Sequence, residues 1–373
     1  MKQRGYSTNP NEEVFDCLCI GTSLIISLEA IHQKKLGRNV LMVDSSNSFG
    51  GAWKTIQIDG IKDVENAIHY FTPNKKGINF LKKTLKWPIE KTKGKFQYFR
   101  IFGNFYIRFL YDSFISKLIN AIFISKRPKG FMPAIKNLFI SVFKAIVESN
   151  RVSYYTATGS SGITNNLQKL LNKHQVEIRF NSKIEKVYFD LEKKIVHCQI
   201  NNEKKVLCKS LILGHGARLP KIDINNGTLV LEEKFHPRPA YHLIVEDDKV
   251  TNIFEAIFVN DKLIKYVHDV TRFSSIKNKA LDKRKVFVFA LHSHVTDHPL
   301  LSDKLFKKLK YIKLIGRNAK VTKSLFSEII LPTLYDKDLY LLKETVGNLV
   351  SVFRTENLTN GIDYYSDRWK WGL

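Results

Sequence analysis

A short, mostly apolar run, VFDCLCI at 14–20, opens the readable pattern. Continuous apolar runs of this length suit a strand buried on both faces of a parallel sheet. Residues 23–36 then repeat at helical spacing, with Leu24, Leu28, Ile31 and Leu36 on one face and Gly37 suited to the position that ends a helix. NVLMV at 39–43 predicts a second strand, closed by Asp44. Apolar segments at 105–125 and 132–148 predict helices, each carrying basic residues (Arg108, Lys117, Lys136 and Lys144). A further helix is expected at 161–173. The alternating stretches VEIRF, KIEKVYF, KIVHCQI, KVLC and SLILG over 176–213 predict successive strands. More strands follow in 226–291, including EAIFVN and KLIKYVHDV as a hairpin about Asn260-Asp261. A helix over 300–314 and a last strand at 349–353 complete the pattern. Helix and strand interleave, which predicts an α/β fold with added α+β material.

The turn between the first strand and helix carries chemistry. A dinucleotide loop uses one glycine to turn, a second to admit the pyrophosphate and a third to let helix and strand pack closely. The helix N-terminus then faces the phosphates with free N–H groups. Here Gly21 supplies the turn, Ser23 stands for the second glycine and Ile26 for the third. Ser23 is small enough to admit a phosphate. Ile26 must push the helix outward or be met by small residues opposite. Asp44 stands where a carboxylate accepts ribose hydroxyls. An ordinary βαβ unit with a glycine turn would read the same way.

The following segment, SSNSFGGAWKTIQIDGIKDVENAIHYF, adds Gly50-Gly51 and the run Glu65 to Phe71 containing His69. Strand, helix, strand, acid, glycine pair and Glu…His segment together resemble the FAD-binding two-domain flavoproteins, which include amine oxidases, protoporphyrinogen oxidase, phytoene-type desaturases and UDP-galactopyranose mutase. The resemblance implies a Rossmann-like, discontinuous FAD/NAD(P)-binding domain over 1–75, 151–220 and 336–373, with an α+β substrate or cap domain over 76–150 and 221–335. It implies FAD contacts from Gly21, Thr22, Ser23, Asp44, Ser45, Gly50, Gly51, Ala52 and Trp53, and an adenine contact from the backbone at Ile184. The family's closing Gly-Asp is absent here; Glu356 and Asn357 stand nearest, with Gly361 at the start of the last helix. His69 is the implied group at the flavin edge, with Trp53 and Tyr70 as cavity walls. Arg272, at a strand end in KYVHDVTRF, would bind a diphosphate if the chain were a mutase; a surface pair with Asp269 is the plainer reading. Three functions follow as expectations: an FAD-dependent oxidoreductase passing hydride from a small or lipid-like substrate to flavin, a flavin-using sugar-nucleotide mutase, or a flavin-free binding protein like the Rab GDP-dissociation inhibitors, whose opening is also similar.

Composition changes this picture in two places. Of 373 residues, 44% are hydrophobic and 25% charged, enough for two domains or one large discontinuous one, and the formal charge is +25. Such a charge fits a polyanionic partner or lysines spread over solvated faces. It concentrates in 75–150, where 16 Lys/Arg face only Glu90, Asp112 and Glu148. That block reads either as a cap over the substrate cavity or as a peripheral contact with an anionic membrane. No nucleic-acid motif accompanies the charge. The cysteines, Cys17, Cys19, Cys198 and Cys208, form neither a zinc pair nor a disulfide framework and read as buried thiols. HSHVTDH at 292–298 is similar to a zinc-hydrolase motif but carries one residue too many before Asp297, so no metal is expected. The N-terminus lacks an apolar signal core, and no stretch approaches the ~20 apolar residues of a membrane span. The expectation is a cytoplasmic protein.

Overall fold

The computed structural model describes residues 13–66, 75–91, 96–102, 105–110, 154–202, 204–214, 222–225, 227–229, 233–249, 255–259, 261–276, 282–334, 336–353 and 365. Two large sheets organise them. In chain order the first takes β1 (Glu13–Ile20), β2 (Val40–Val43), then, past the hairpin β3 (Thr55–Ile58) and β4 (Ile61–Glu65), more distant segments. Short strands β5 (Ile89–Lys91) and β8 (Tyr154–Thr156) pair with each other; β6 (Phe96–Phe102) and β7 (Phe105–Leu110) belong to the second sheet. The first sheet resumes with β9 (Glu177–Arg179), β10 (Ile184–Asp190), β11 (Ile195–Ile200), β12 (Lys204–Gly214), β13 (Ile222–Ile224) and β14 (Gly227–Leu229). The second holds β15 (Glu233–Glu246), β16 (Glu255–Val259), β17 (Ile264–Asp269), β18 (Arg284–Leu291) and β19 (Lys320–Leu334), and the chain returns to the first with β20 (Val350–Phe353).

The heart of the first sheet is five parallel strands in the order β9-β2-β1-β12-β20. Its helices cover both faces. Helices α1 (Leu24–Lys35) and α2 (Gly159–Lys173) lie on one, packed against Cys17, Cys19 and Met42; α4 (Asp336–Val346) lies on the other with Leu18, Leu211 and Val350. This is why the VFDCLCI run does not alternate: Cys17 and Cys19 meet helices on one side while Leu18 and Ile20 meet core on the other. All four cysteines are buried and free, as read from the pattern. Burial on α1 is wider than the single face expected. Nine of its residues are buried, because the sheet, α2 and Tyr365 all close on it. Leu36, expected on that face, is instead the C-cap and 56% exposed.

Long β12 branches the sheet. Its first half pairs antiparallel with β11, which leads to β10, β13 and β14; its second half pairs with β20. KVLC and SLILG, read as separate strands, are thus one. In the second sheet the order is β19-β15-β18-β17-β16-β6-β7. Helix α3 (Leu301–Tyr311) covers one face through Leu301, Leu305 and Leu309. The other face meets the β3–β4 hairpin, Tyr155 and Phe273. Strands β16 and β17 pair antiparallel as expected, with Glu255 opposite His268.

One expectation is corrected. Residues 105–110 are not the start of a helix but strand β7, antiparallel to β6 from Gln97↔Leu110 to Phe102↔Phe105. Phe105, Ile107 and Phe109 alternate with Tyr106, Arg108 and Leu110, a period of two that the density of apolar residues hid. The remaining helical readings, 111–125 and 132–148, lie outside the described residues.

Candidate functional site

β1 ends at Ile20, and the chain turns at Gly21 (φ +92°), whose N–H bonds the Val43 carbonyl at 2.8 Å. Only glycine takes that φ without strain, and the space beside its Cα is open. Ser23 follows as an extended N-cap whose side chain caps nothing. Among the described residues no group accepts from the amides of Leu24, Ile25 or Ile26, so the first turn of α1 presents free donors. Ile26, in the place of the third glycine, is fully buried against Gly214 at the end of β12. A Cβ on Gly214 would lie 2.9 Å from Ile26 Cγ1 and 3.6 Å from Ser23 Oγ. Ile26 is thus accommodated by a glycine on the neighbouring strand, where any side chain would meet it.

Gly50 and Gly51 thread between this turn and α2. Gly50 has φ +117°, and a Cβ on it would meet Thr164 Cγ2 at 2.8 Å; one on Gly51 would reach Ser23 Cα at 3.8 Å. A 3-10 turn, Gly51–Trp53, carries the backbone of Ala52 and buries Trp53. Asp44, half-buried at the end of β2, receives four donors: the N–H (2.9 Å) and hydroxyl (2.5 Å) of Thr22 on Oδ2, and the N–H (2.9 Å) and hydroxyl (2.5 Å) of Ser46 on Oδ1. Thr22 Oγ1 in turn accepts the Gly50 N–H at 3.1 Å. Ser45 is exposed beside them. The Ser182 N–H donates to the Asp44 carbonyl at 2.9 Å, which brings the start of β10, with buried Ile184, next to this corner.

A recess opens at the start of α2, lined by Trp53, Glu65, Tyr155, Ser160, Ile163 and Phe273 among others. It encloses about 10 Å³, the lower limit for one water. Glu65 ends β4 with its carboxyl buried, and Oε1 accepts the Ser160 N–H at the start of α2. Burial pushes Glu65 up to about 7 although that hydrogen bond favours the ionised form. A Cβ on Gly159 would fall 2.6 Å from Oε1, so glycine is required there for contact alone. His242 on β15 is fully buried near the carbonyls of Glu65 and Leu325, yet neither ring nitrogen makes a hydrogen bond; burial holds it neutral, down at about 4. Arg272 does not pair with Asp269. Its Nη2 donates to Glu90 Oε2 at 3.0 Å and its guanidinium lies over the rings of Tyr155 (4.8 Å) and Phe273 (5.4 Å). Asp269 is half-buried and takes the N–H and O–H of Thr271.

No protein-family model matches this sequence, and no curated protein matches it. Solved structures do match across nearly the whole chain. A putrescine oxidase variant from a study of cofactor binding aligns with TM-score 0.65 and 10% identity over 97% of this chain and 99% of its own. A candidate protoporphyrinogen oxidase from an Exiguobacterium species gives 0.62 and 10% over 98% and 100%. The Rab GDI of Plasmodium falciparum gives 0.55 and 12% over 97% and 99%. The chain shares the fold of these putrescine oxidase, protoporphyrinogen oxidase and Rab GDI structures. In open parallel sheets ligands bind beyond the carboxyl ends of the strands where the strand order reverses, which here is the corner of β1, β2 and β12. The residues at that corner fit a diphosphate: an open glycine turn, free amides and room kept by Gly214. The ribose side is different, since every lone-pair direction of Asp44 already has a donor. His69, Glu356, Asn357 and Gly361 lie outside the described residues. Among the described residues no three potential metal ligands cluster, and His292 and His294 simply stack, 5.7 Å between centroids. No described helix is long and apolar enough to cross a membrane.

Glu65, Ser160, Tyr155, Glu90 and Gly214 did not stand out in the sequence as site residues. Glu65 lay inside the quoted motif, but its partner is the start of a helix far along the chain. Glu90 carried a different signal, as one of three acids in a basic block.

Proposed function

We propose that this chain binds FAD at the β1–α1 corner and acts as an FAD-dependent oxidoreductase on a small or lipid-like substrate. The observation that carries the reading is the Ile26–Gly214 contact. A fold that had abandoned its nucleotide would have no reason to hold α1 this close, with its first amides free and Gly21 open before them. Bound flavin would supply the hydride acceptor. The chain's own part is to hold the diphosphate on the α1 amides, to exclude water with Trp53, Tyr155 and Phe273, and to hold or release a proton at the Glu65 carboxyl, which ionises near neutral pH. The nucleotide-binding part would comprise 1–75, 151–220 and 336–373. Arg272 would serve a diphosphate substrate only after leaving Glu90, which weighs against mutase chemistry.

Two observations favour a second reading, a flavin-free binding protein: the saturated Asp44 carboxylate, and the presence of a Rab GDI among the similar structures. The visible absorption of the purified protein separates the two. A flavin band, native or after incubation with FAD and desalting, is expected. A colourless protein that takes up no FAD would refute the oxidoreductase reading.

A further inference from the structure

From Lys304 to Ser327 the chain carries eight basic residues and no acidic one. The stretch takes in most of α3, the turn after it and the start of β19. Its apolar half is used up in the core, with Leu305, Leu309 and Ile312 buried against the second sheet. What remains outside is cationic. Lys308 pairs with Asp261 at 2.8 Å, and the Lys310 ammonium lies 4.6 Å from the centre of the Phe306 ring. Lys304, Lys307, Lys313, Arg317, Lys320 and Lys323 are exposed, and among the described residues none of them has an ion-pair partner. The acid closest to the turn, Asp247, accepts the Gly316 N–H at 3.1 Å and already pairs with Lys285. Asp303 is the one acid on α3 itself.

Leu301, Leu305 and Leu309 face the core, so Leu300, Lys304, Lys307 and Tyr311 follow one another down the outer side of α3, over about 16 Å. Two lysines thus stand between exposed apolar ends: Leu300 is 61% and Tyr311 37% exposed. Leu300 also holds the N-cap, where its side chain satisfies no amide and a serine or aspartate would. Lysines flanked by apolar side chains suit the boundary between lipid headgroups and acyl chains. There the ammonium stays among anionic headgroups while the apolar ends leave water. The face is less suited to nucleic acid. Seven of the eight cations are lysines, whereas base edges are read by arginine forks and single strands are held on stacked aromatics. We propose that the outer face of α3 docks this protein on an anionic membrane surface.

The test is sedimentation of the full chain with phosphatidylcholine vesicles that contain or lack about 30% phosphatidylserine. Binding to the anionic vesicles alone is expected at about 0.1 M salt, and its loss at about 1 M. Lys304→Gln/Lys307→Gln should weaken it about thirtyfold, or about fivefold for each charge. Leu300→Ser should weaken it about three- to tenfold and raise the melting temperature, because the serine caps α3; lost binding then cannot be lost folding. Lys82→Gln/Lys83→Gln, which removes two exposed cations from the basic block of 75–150, should stay within about twofold. Equal losses from the two lysine pairs would mean attraction by net charge alone and would overturn the α3 assignment. Wild-type protein that leaves anionic vesicles free at about 0.1 M salt would overturn it too, as would a Leu300→Ser variant that loses nothing. Retention of DNA or RNA where vesicles are left free would give the face to nucleic acid instead.

Discussion

Adding one methyl group at Gly214 tests whether the degenerate glycine loop is held by compensation. The new Cβ would stand 2.9 Å from Ile26 Cγ1 and 3.5 Å from Cδ1, where carbon pairs prefer about 3.5–4.0 Å. Ile26 is fully buried between β12 and α2, so it has no free direction in which to move. Overpacking of this kind costs about 1–3 kcal/mol. Ile26→Ala alone should cost about 2–5 kcal/mol through the cavity it leaves. In that background Gly214→Ala should reverse sign. The atom it struck is gone, the methyl fills part of the void, and alanine gains about 0.5–1 kcal/mol over glycine in a strand. Urea unfolding of the four proteins, with m-values checked for equality, gives the coupling energy directly. A coupling below about 0.5 kcal/mol would mean that α1 simply stands away from the sheet and that Gly214 compensates for nothing.

Glu65 and His242 should shape the pH dependence of stability in opposite directions. Glu65 titrates higher when folded (about 7) than when unfolded (4.5), so its contribution is intact below pH 4.5 and falls by about 3 kcal/mol as pH rises to 7. His242 titrates lower when folded (about 4) than when unfolded (6.5), so its contribution is intact above pH 6.5 and falls by a similar amount as pH drops to 4. Between about pH 4.5 and 6.5 the two slopes cancel in the wild type. Glu65→Gln should then show stability rising with pH across that window, and a pH profile identical to wild type would refute the buried ionisation. Tyr365→Phe should destabilise by about 1–3 kcal/mol, because its hydroxyl donates to buried Glu29 at 2.6 Å; an unchanged urea midpoint would refute that contact.

What could be read from the chain divides along the range of the interactions. The β1–α1–β2 unit, the Gly50-Gly51 pair and the strands of 176–213 were legible because each rests on local periodicity or on a backbone angle only glycine takes easily. Even the bracing of Asp44 is local: aspartate followed by two serines invites a turn in which Ser46 N–H bonds the carboxylate two residues back. The failures come where the partner is remote. Ile26 looked like damage because the glycine that accommodates it stands at the end of β12, and Glu65 looked like a motif marker because the helix that buries it begins at Gly159. Strand β7 was misread for a different reason, since five of its six residues are aromatic or aliphatic and the single charge at Arg108 leaves little periodic signal. The lost fingerprint is therefore weak evidence against a nucleotide. Its third glycine served helix–strand packing, and packing can be restored from either side of the contact. The second glycine served the ligand itself, so the surviving question at this site belongs to Ser23, which stands in its place as the extended N-cap of α1.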